Sequence, residues 1–333
     1  MKAVITGGSG FLGAKLAEAI LRRGHLRDSH GEQRQVDELV IVDIHAPAHA
    51  WARDPRVRFI AGDLSDPAFL RTLVAQRFDS LFHFAAVLKA AADRDLGAAV
   101  RFNVLGFTSL LEGCREAGFK PKLFFASSVG VFENGMREAA DDARHHPSSS
   151  YGAHKAIGEL LIDDFSRSGA IDGRGLRFPI AMTRPAPSPT VSDAISAIVR
   201  GAVRGQDVVC PLDPALRMPV TSAAAAAEAT LAVHDLPAEQ LGNRRTHNMP
   251  CPSVTLAEVA AAAARQAAAN GVACKLTWQP EAGPVKVFVG RPERIEAAWA
   301  AANRIPGDAD IDAIVEHFAA EEAGRSASGH SPR

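Results

Sequence analysis

The sequence predicts an α/β fold, a doubly wound parallel sheet with helices on both faces, followed by a smaller C-terminal α/β lobe. Three observations point there. Short apolar runs alternate with longer amphipathic ones through the first half, the pattern of consecutive βαβ units. Gly7-x-x-Gly10-x-x-Gly13 lies between the first apolar run and the first amphipathic one. Ser127-Ser128 closes a later apolar run shortly before the chain's single tyrosine, in Tyr151-Gly152-Ala153-His154-Lys155.

Residues 3–6 read as a buried strand and residues 11–23 as the helix that follows. Residues 24–36 are polar and longer than a usual connection, so they are expected to form a surface insertion. Strands are expected at 39–42, ending at Asp43, at 57–61, at 80–85 and at 123–126. A helix at 67–75 has Asp66 placed to cap it and proline at its first position. Residues 96–117 read as one long helix and 151–166 as another. Beyond them a strand is expected at 176–183, a proline-rich loop at 184–189 and a short strand at 275–278. Alanine-rich helices are expected at 192–204, 223–234, 256–270 and 295–303. The last twelve residues, 322–333, are small and polar and are expected to be disordered.

Composition excludes several classes. The chain has 333 residues, with 37 Lys and Arg against 38 Asp and Glu. That balance gives no reason to expect nucleic acid or an anionic membrane surface as partner. No apolar stretch is long enough to span a bilayer, and Met1 to Ile5 run directly into the glycine turn, so a soluble cytoplasmic protein is expected. Cys114, Cys210, Cys251 and Cys274 are scattered without metal-like spacing, so they read as free thiols and no metal is expected.

The chemistry lies in the motifs. Glycines between a strand and a helix allow a tight turn and close approach to a pyrophosphate, which the helix N-terminus favours. The spacing differs from GxGxxG, but its strand–turn–helix setting predicts a dinucleotide site at Gly7, Gly10, Phe11, Leu12 and Gly13. Asp43 falls where the adenosine ribose would lie. A carboxylate there bonds ribose hydroxyls and repels a 2′-phosphate, so NAD is expected over NADP. Its bland alternative is a strand-end turn aspartate. Asp63, before Leu64, is a candidate for the adenine amine or for a turn. Ala85 and Ala86 are small enough to let a cofactor lie against the backbone, whereas His83 reads as a packed core histidine. Tyr151 and Lys155 share a helix face, and an ammonium near a phenol favours phenolate, a base for an alcohol proton. Ser128 is the candidate hydroxyl beside it, with Ser127 a rival. The fold so predicted is Rossmann-type. Residues 1–175 bind NAD, 176–320 form mainly the substrate lobe with a strand returning to the sheet, and 322–333 form the tail.

These motifs, together with Gly62-Asp63-Leu64, residues 83–86 and residues 127–132, resemble the extended short-chain dehydrogenase/reductases, the superfamily of NAD-dependent epimerases and dehydratases. The resemblance covers residues 1–318. It implies Tyr151 as acid/base, Lys155 as the residue that binds the nicotinamide ribose and tunes the tyrosine, and Ser128 as holder of the reacting oxygen. It also implies a cofactor-side role for Asn103, and a homodimer built on the helices at 96–117 and 151–166. Residues 150–152, 155–161, 164–167, 172–177 and 210–212 resemble more narrowly the D-erythronate dehydrogenase subgroup, which oxidises the 2-hydroxyl of a small sugar acid to a 2-keto acid. Residues 186–189 depart from that subgroup's pattern. Arg217 is then the candidate partner for the acid, with Lys89 a weaker one. The expected partner is a small molecule, a sugar acid or a nucleotide sugar. The rival readings are a nucleotide-sugar epimerase or dehydratase that retains its NAD, and a non-catalytic dinucleotide-binding protein.

Overall fold

The computed structural model describes residues 1–132, 135–188, 190, 192–284 and 291–327. Its centre is a seven-stranded parallel sheet. Strand Lys2–Thr6 lies between Glu38–Asp43 and Ser80–His83. Val57–Ala61 extends the sheet on one side, and Lys122–Ser128, Asp172–Phe178 and Thr246–Asn248 extend it on the other. The chain winds outward one way, returns to the centre and winds outward the other way. The reversal opens a crevice beyond the carboxyl ends of Lys2–Thr6 and Ser80–His83, where this topology collects ligands.

Strand alternation supplies a core to each face. Ile5, Ile41, Phe82, Phe124 and Leu176 meet the helices Phe11–Arg23 and Ala223–Asp235. Val4, Val40, Leu81, Leu123 and Phe125 meet Pro67–Ala75, Phe107–Glu116 and Ser150–Arg167. A separate core forms the second lobe. There the strands Ile180–Met182, Arg217–Ser222 and Ser253–Thr255 pack with the helices Asp193–Arg204, Leu256–Ala269 and Ile311–Ala327. Among the described residues, no helix is long and apolar enough to cross a membrane.

Several elements differ from their sequence expectation. The strand expected from 176 begins at Asp172, and all seven of its residues are buried. Arg174 and Arg177 disguise it, because their charges are matched inside the protein. Arg174 pairs with Asp172 at 2.5 Å and donates to the carbonyls of Val233, His234 and Leu236 at the end of a helix. Pro179 then divides the expected strand in two. The long helix at 96–117 is interrupted by a π-turn, Arg101–Gly106, between Leu96–Val100 and Phe107–Glu116. The polar insertion is an antiparallel ribbon, His25–Arg27 with Gln33–Gln35. The expected 295–303 helix is shorter, Ala298–Ala302, and follows a strand, Arg294–Ile295. The tail expected to be disordered from 322 is helical through Ala327, where Glu322 pairs with Arg204 and Arg325. Residues 328–333, like Pro189 of the expected loop, lie outside the described residues.

Candidate active site

A cavity of about 690 Å³ occupies the crevice. Its lining joins the glycine turn, the ends of the central strands, Ser128, Tyr151 and Lys155, and reaches Arg184 and Arg291.

The glycine turn is shaped by close approach. Gly7 has φ +72°, and a Cβ there would stand 2.6 Å from the Ala85 nitrogen. A Cβ at Gly13 would stand 2.2 Å from the Gly7 carbonyl oxygen. Gly10 caps helix Phe11–Arg23 with no side chain of its own, so the first-turn N–H groups take no side-chain cap. This backbone cradle at a helix N-terminus fits a pyrophosphate. Asp43 lines the same end, and its carboxylate accepts from the amides of Ser9 at 3.1 Å and Ile44 at 2.8 Å. Those bonds aim the carboxylate across the mouth of the turn.

Ser149 caps helix Ser150–Arg167 by accepting from the Gly152 amide. Tyr151, Lys155 and Glu159 then follow at four-residue spacing on one face. The Tyr151 phenol is hydrogen-bonded to Ser128. Burial pushes the phenol's pKa up, and the Ser128 bond and the positive charge of Arg291 oppose that rise. Lys155 is buried, with its ammonium 4.6 Å from the Phe125 ring centre and 5.8 Å from that of Tyr151. Burial brings its pKa down to about 7, and the Glu159 carboxylate opposes the fall. The expectation that Lys155 alone lowers the phenol is therefore corrected: burial dominates both groups, and Ser128 and Arg291 act on the phenol.

Glu159 anchors this face from below. Arg177 grips its carboxylate through Nε, at 3.0 and 3.1 Å, and through a second nitrogen at 2.8 Å. Ser127 donates its hydroxyl to the same carboxylate, and His145 stands 3.3 Å away. Ser127 is thus committed beneath the site, which leaves Ser128 beside the phenol.

The other candidates divide. Gly7, Gly10, Phe11, Leu12, Gly13, Asp43, Leu64, Ala85, Ala86, Ser128, Tyr151 and Lys155 line the cavity. Asp63 does not, since its carboxylate accepts from the amide and hydroxyl of Ser65 in a turn. Asn103 acts at one remove. From the π-turn it accepts from the Val87 amide at 2.8 Å and donates to the Val87 carbonyl at 2.9 Å, fixing a backbone that does line the cavity. Arg217 is corrected as a site residue: it lies outside the lining, donates to the Ser253 carbonyl and faces Glu258 at 3.4 Å. Lys89 lines the cavity but pairs with Asp93 one turn on. His83 is buried against Phe107 and bonded to Thr6, a core residue. The cations that do reach the cavity, Arg184 and Arg291, were missed. Arg291 is separated from Tyr151 by 140 positions and carries no local motif. Among the described residues, no cluster of side chains suited to a metal ion is present.

The NAD dependent epimerase/dehydratase family model matches residues 3–246. The chain is 39% identical to the D-erythronate dehydrogenase of Cupriavidus necator over 97% of its length and 99% of the relative's. It is 31% identical to that of Haemophilus influenzae, covering 96% and 98% of the two chains. Among solved structures it resembles the nucleoside-diphosphate-sugar epimerase of Agrobacterium tumefaciens, with a TM-score of 0.89 and 29% identity over 97% of this chain and 95% of that one.

Proposed function

The chain belongs to the NAD-dependent epimerase/dehydratase family, and from that premise we propose that it oxidises the 2-hydroxyl of a small sugar acid, D-erythronate or a near relative, to a 2-keto acid. The observation that carries this reading is the pairing of the Ser128–Tyr151 hydroxyls with an arginine, Arg291, in one cavity. In a 2-hydroxy acid the carboxylate is bonded directly to the reacting carbon. Its cation must therefore stand beside the phenol, as Arg291 does and Arg217 does not.

Ser128 and Tyr151 hold the substrate hydroxyl, and Tyr151 accepts its proton. Lys155, when protonated, stabilises the phenolate, and Glu159 holds that ammonium in place. Gly7, Gly10, Phe11, Leu12 and Gly13 would hold the pyrophosphate of NAD, and Asp43 the adenosine ribose. NAD, when bound, supplies the acceptor for the hydride that leaves C2. Arg291 fixes the carboxylate, so that C2 faces the cofactor.

We extend the reading to a homodimer in a reducing compartment. The helices at 96–116 and 150–167 pack together and leave Leu96 56% and Leu160 65% exposed, beside exposed Leu105 and Ile157. All four cysteines are free. Sedimentation should give a dimer, and Leu160→Glu a monomer. The function is tested with a panel of four- to six-carbon aldonates beside UDP- and dTDP-sugars, following NADH. An aldonate oxidised with net NADH release is expected. A nucleotide sugar interconverted with no acid oxidised would overturn the reading.

A further inference from the structure

We propose that Arg184 is a pyrophosphate-binding residue of the dinucleotide site, reaching from the second lobe over the N-terminus of helix Phe11–Arg23. This rests on the reading of the cavity as the NAD site. Position is the first argument. The Arg184 guanidinium stands 4.4 Å from the ring centre of Phe11, the first residue of that helix, and both line the cavity. A diphosphate seated on the first-turn amides lies within reach of a cation placed there.

The second argument is that this charge is left for a ligand. Asp193 is the neighbouring carboxylate, but Arg200 grips it through two nitrogens at 3.2 and 2.9 Å. Among the described residues Arg184 has no ion-pair partner, and its Nε is buried without a hydrogen bond. A buried donor left unbonded costs stability unless something accepts from it. A guanidinium fork suits two phosphate oxygens.

The third argument is that the backbone is built to hold Arg184 there. Thr183 sits at φ +72°, a left-handed conformation rare for a β-branched residue, and Arg200 donates to the Arg184 carbonyl at 2.9 Å. The two arginines of the cavity thus serve different ends. Arg291 acts on the phenol, whereas Arg184 is surrounded by Phe11, Asp193 and Arg200.

The test compares the intact protein with Arg184→Ala and Arg184→Met, the second keeping an unbranched chain against Phe11. NADH and ADP-ribose are titrated by fluorescence and calorimetry, and adenosine, which lacks phosphate, by calorimetry. Both variants should bind NADH and ADP-ribose roughly 10–100-fold more weakly, the loss expected for hydrogen bonds to a charged group. Adenosine affinity should be unchanged. Equal NADH affinity in all three proteins would overturn the proposal, and a rise confined to the KM of the acid would assign Arg184 to substrate instead. Loss in the alanine variant but not in the methionine variant would make the contact packing alone. Failure of the unsubstituted protein to bind NADH would overturn the cofactor reading and this one together.

Discussion

At the glycine end of the cavity, Gly7, Gly10 and Gly13 present main-chain atoms, and the neighbouring Ala85 and Ala86 are small. At the phenol end, Tyr151, Lys155 and Arg291 present long polar side chains, two of them with pKa values displaced by burial. The first end recognises a shape shared by every dinucleotide. The second places charge where a particular substrate carries its own. Backbone geometry tolerates little change, whereas a pocket made of side chains can exchange one acid for another by moving a single cation.

The contrast is most strongly tested at the phenol. Tyr151→Phe should lower kcat by about two orders of magnitude or more, while NADH affinity is kept. Turnover close to that of the unsubstituted enzyme would leave the tyrosine a structural role only. Next in size is the exchange of cations. Arg291→Ala should raise the KM of the acid by roughly 30-fold, equivalent to about 2 kcal/mol, with the KM of NAD nearly unchanged. Arg217→Ala, which removes an exposed pair with Glu258, should alter neither. The reverse pattern in steady-state kinetics would restore Arg217 to the site.

Acid probes the sheet beneath the glycine end. Burial lowers the pKa of His83 to about 3 and of His234 to about 4. Each stays neutral in the fold while the unfolded chain takes up a proton near pH 6.5. Their stabilising contribution is therefore complete above pH 6.5 and is lost as pH falls towards 4, by up to about 1.4 kcal/mol per pH unit for each histidine. Urea titrations between pH 7 and 4 should follow that slope, and His83→Asn should flatten it. An unchanged slope in the variant would remove His83 from the account. The smallest effect is expected at Asp43. Asp43→Ala should weaken NAD by about 1 kcal/mol and narrow the gap to NADP. Equal affinity for both cofactors in the unsubstituted protein would refute the role given to the carboxylate.

The same contrast explains how much was legible in the sequence. The glycine turn, Asp43 and the Tyr151–Lys155 pair are local patterns, each set by spacing within one element. The parallel sheet followed from its apolar runs. The strand at 172–178 was hidden in part, because Arg174 and Arg177 look like solvent residues until Asp172 and Glu159 are seen to neutralise them. Arg184 and Arg291 reach the cavity only through the packing of the second lobe, and no periodicity marks them. Arg217 was chosen on resemblance, but its strand directs it to the Ser253 carbonyl and Glu258.

The π-turn at Arg101–Gly106 has a consequence for insertions and deletions. It accommodates one more residue than a regular helix of the same length. Removing a single residue there would let the helix close regularly, yet it would rotate everything beyond by about 100°. Phe107, Leu110, Leu111 and Cys114 would leave the core, and Asn103 would lose its grip on Val87. The segment should therefore accept substitutions on its exposed positions, such as Leu105, while a one-residue deletion should cost the fold.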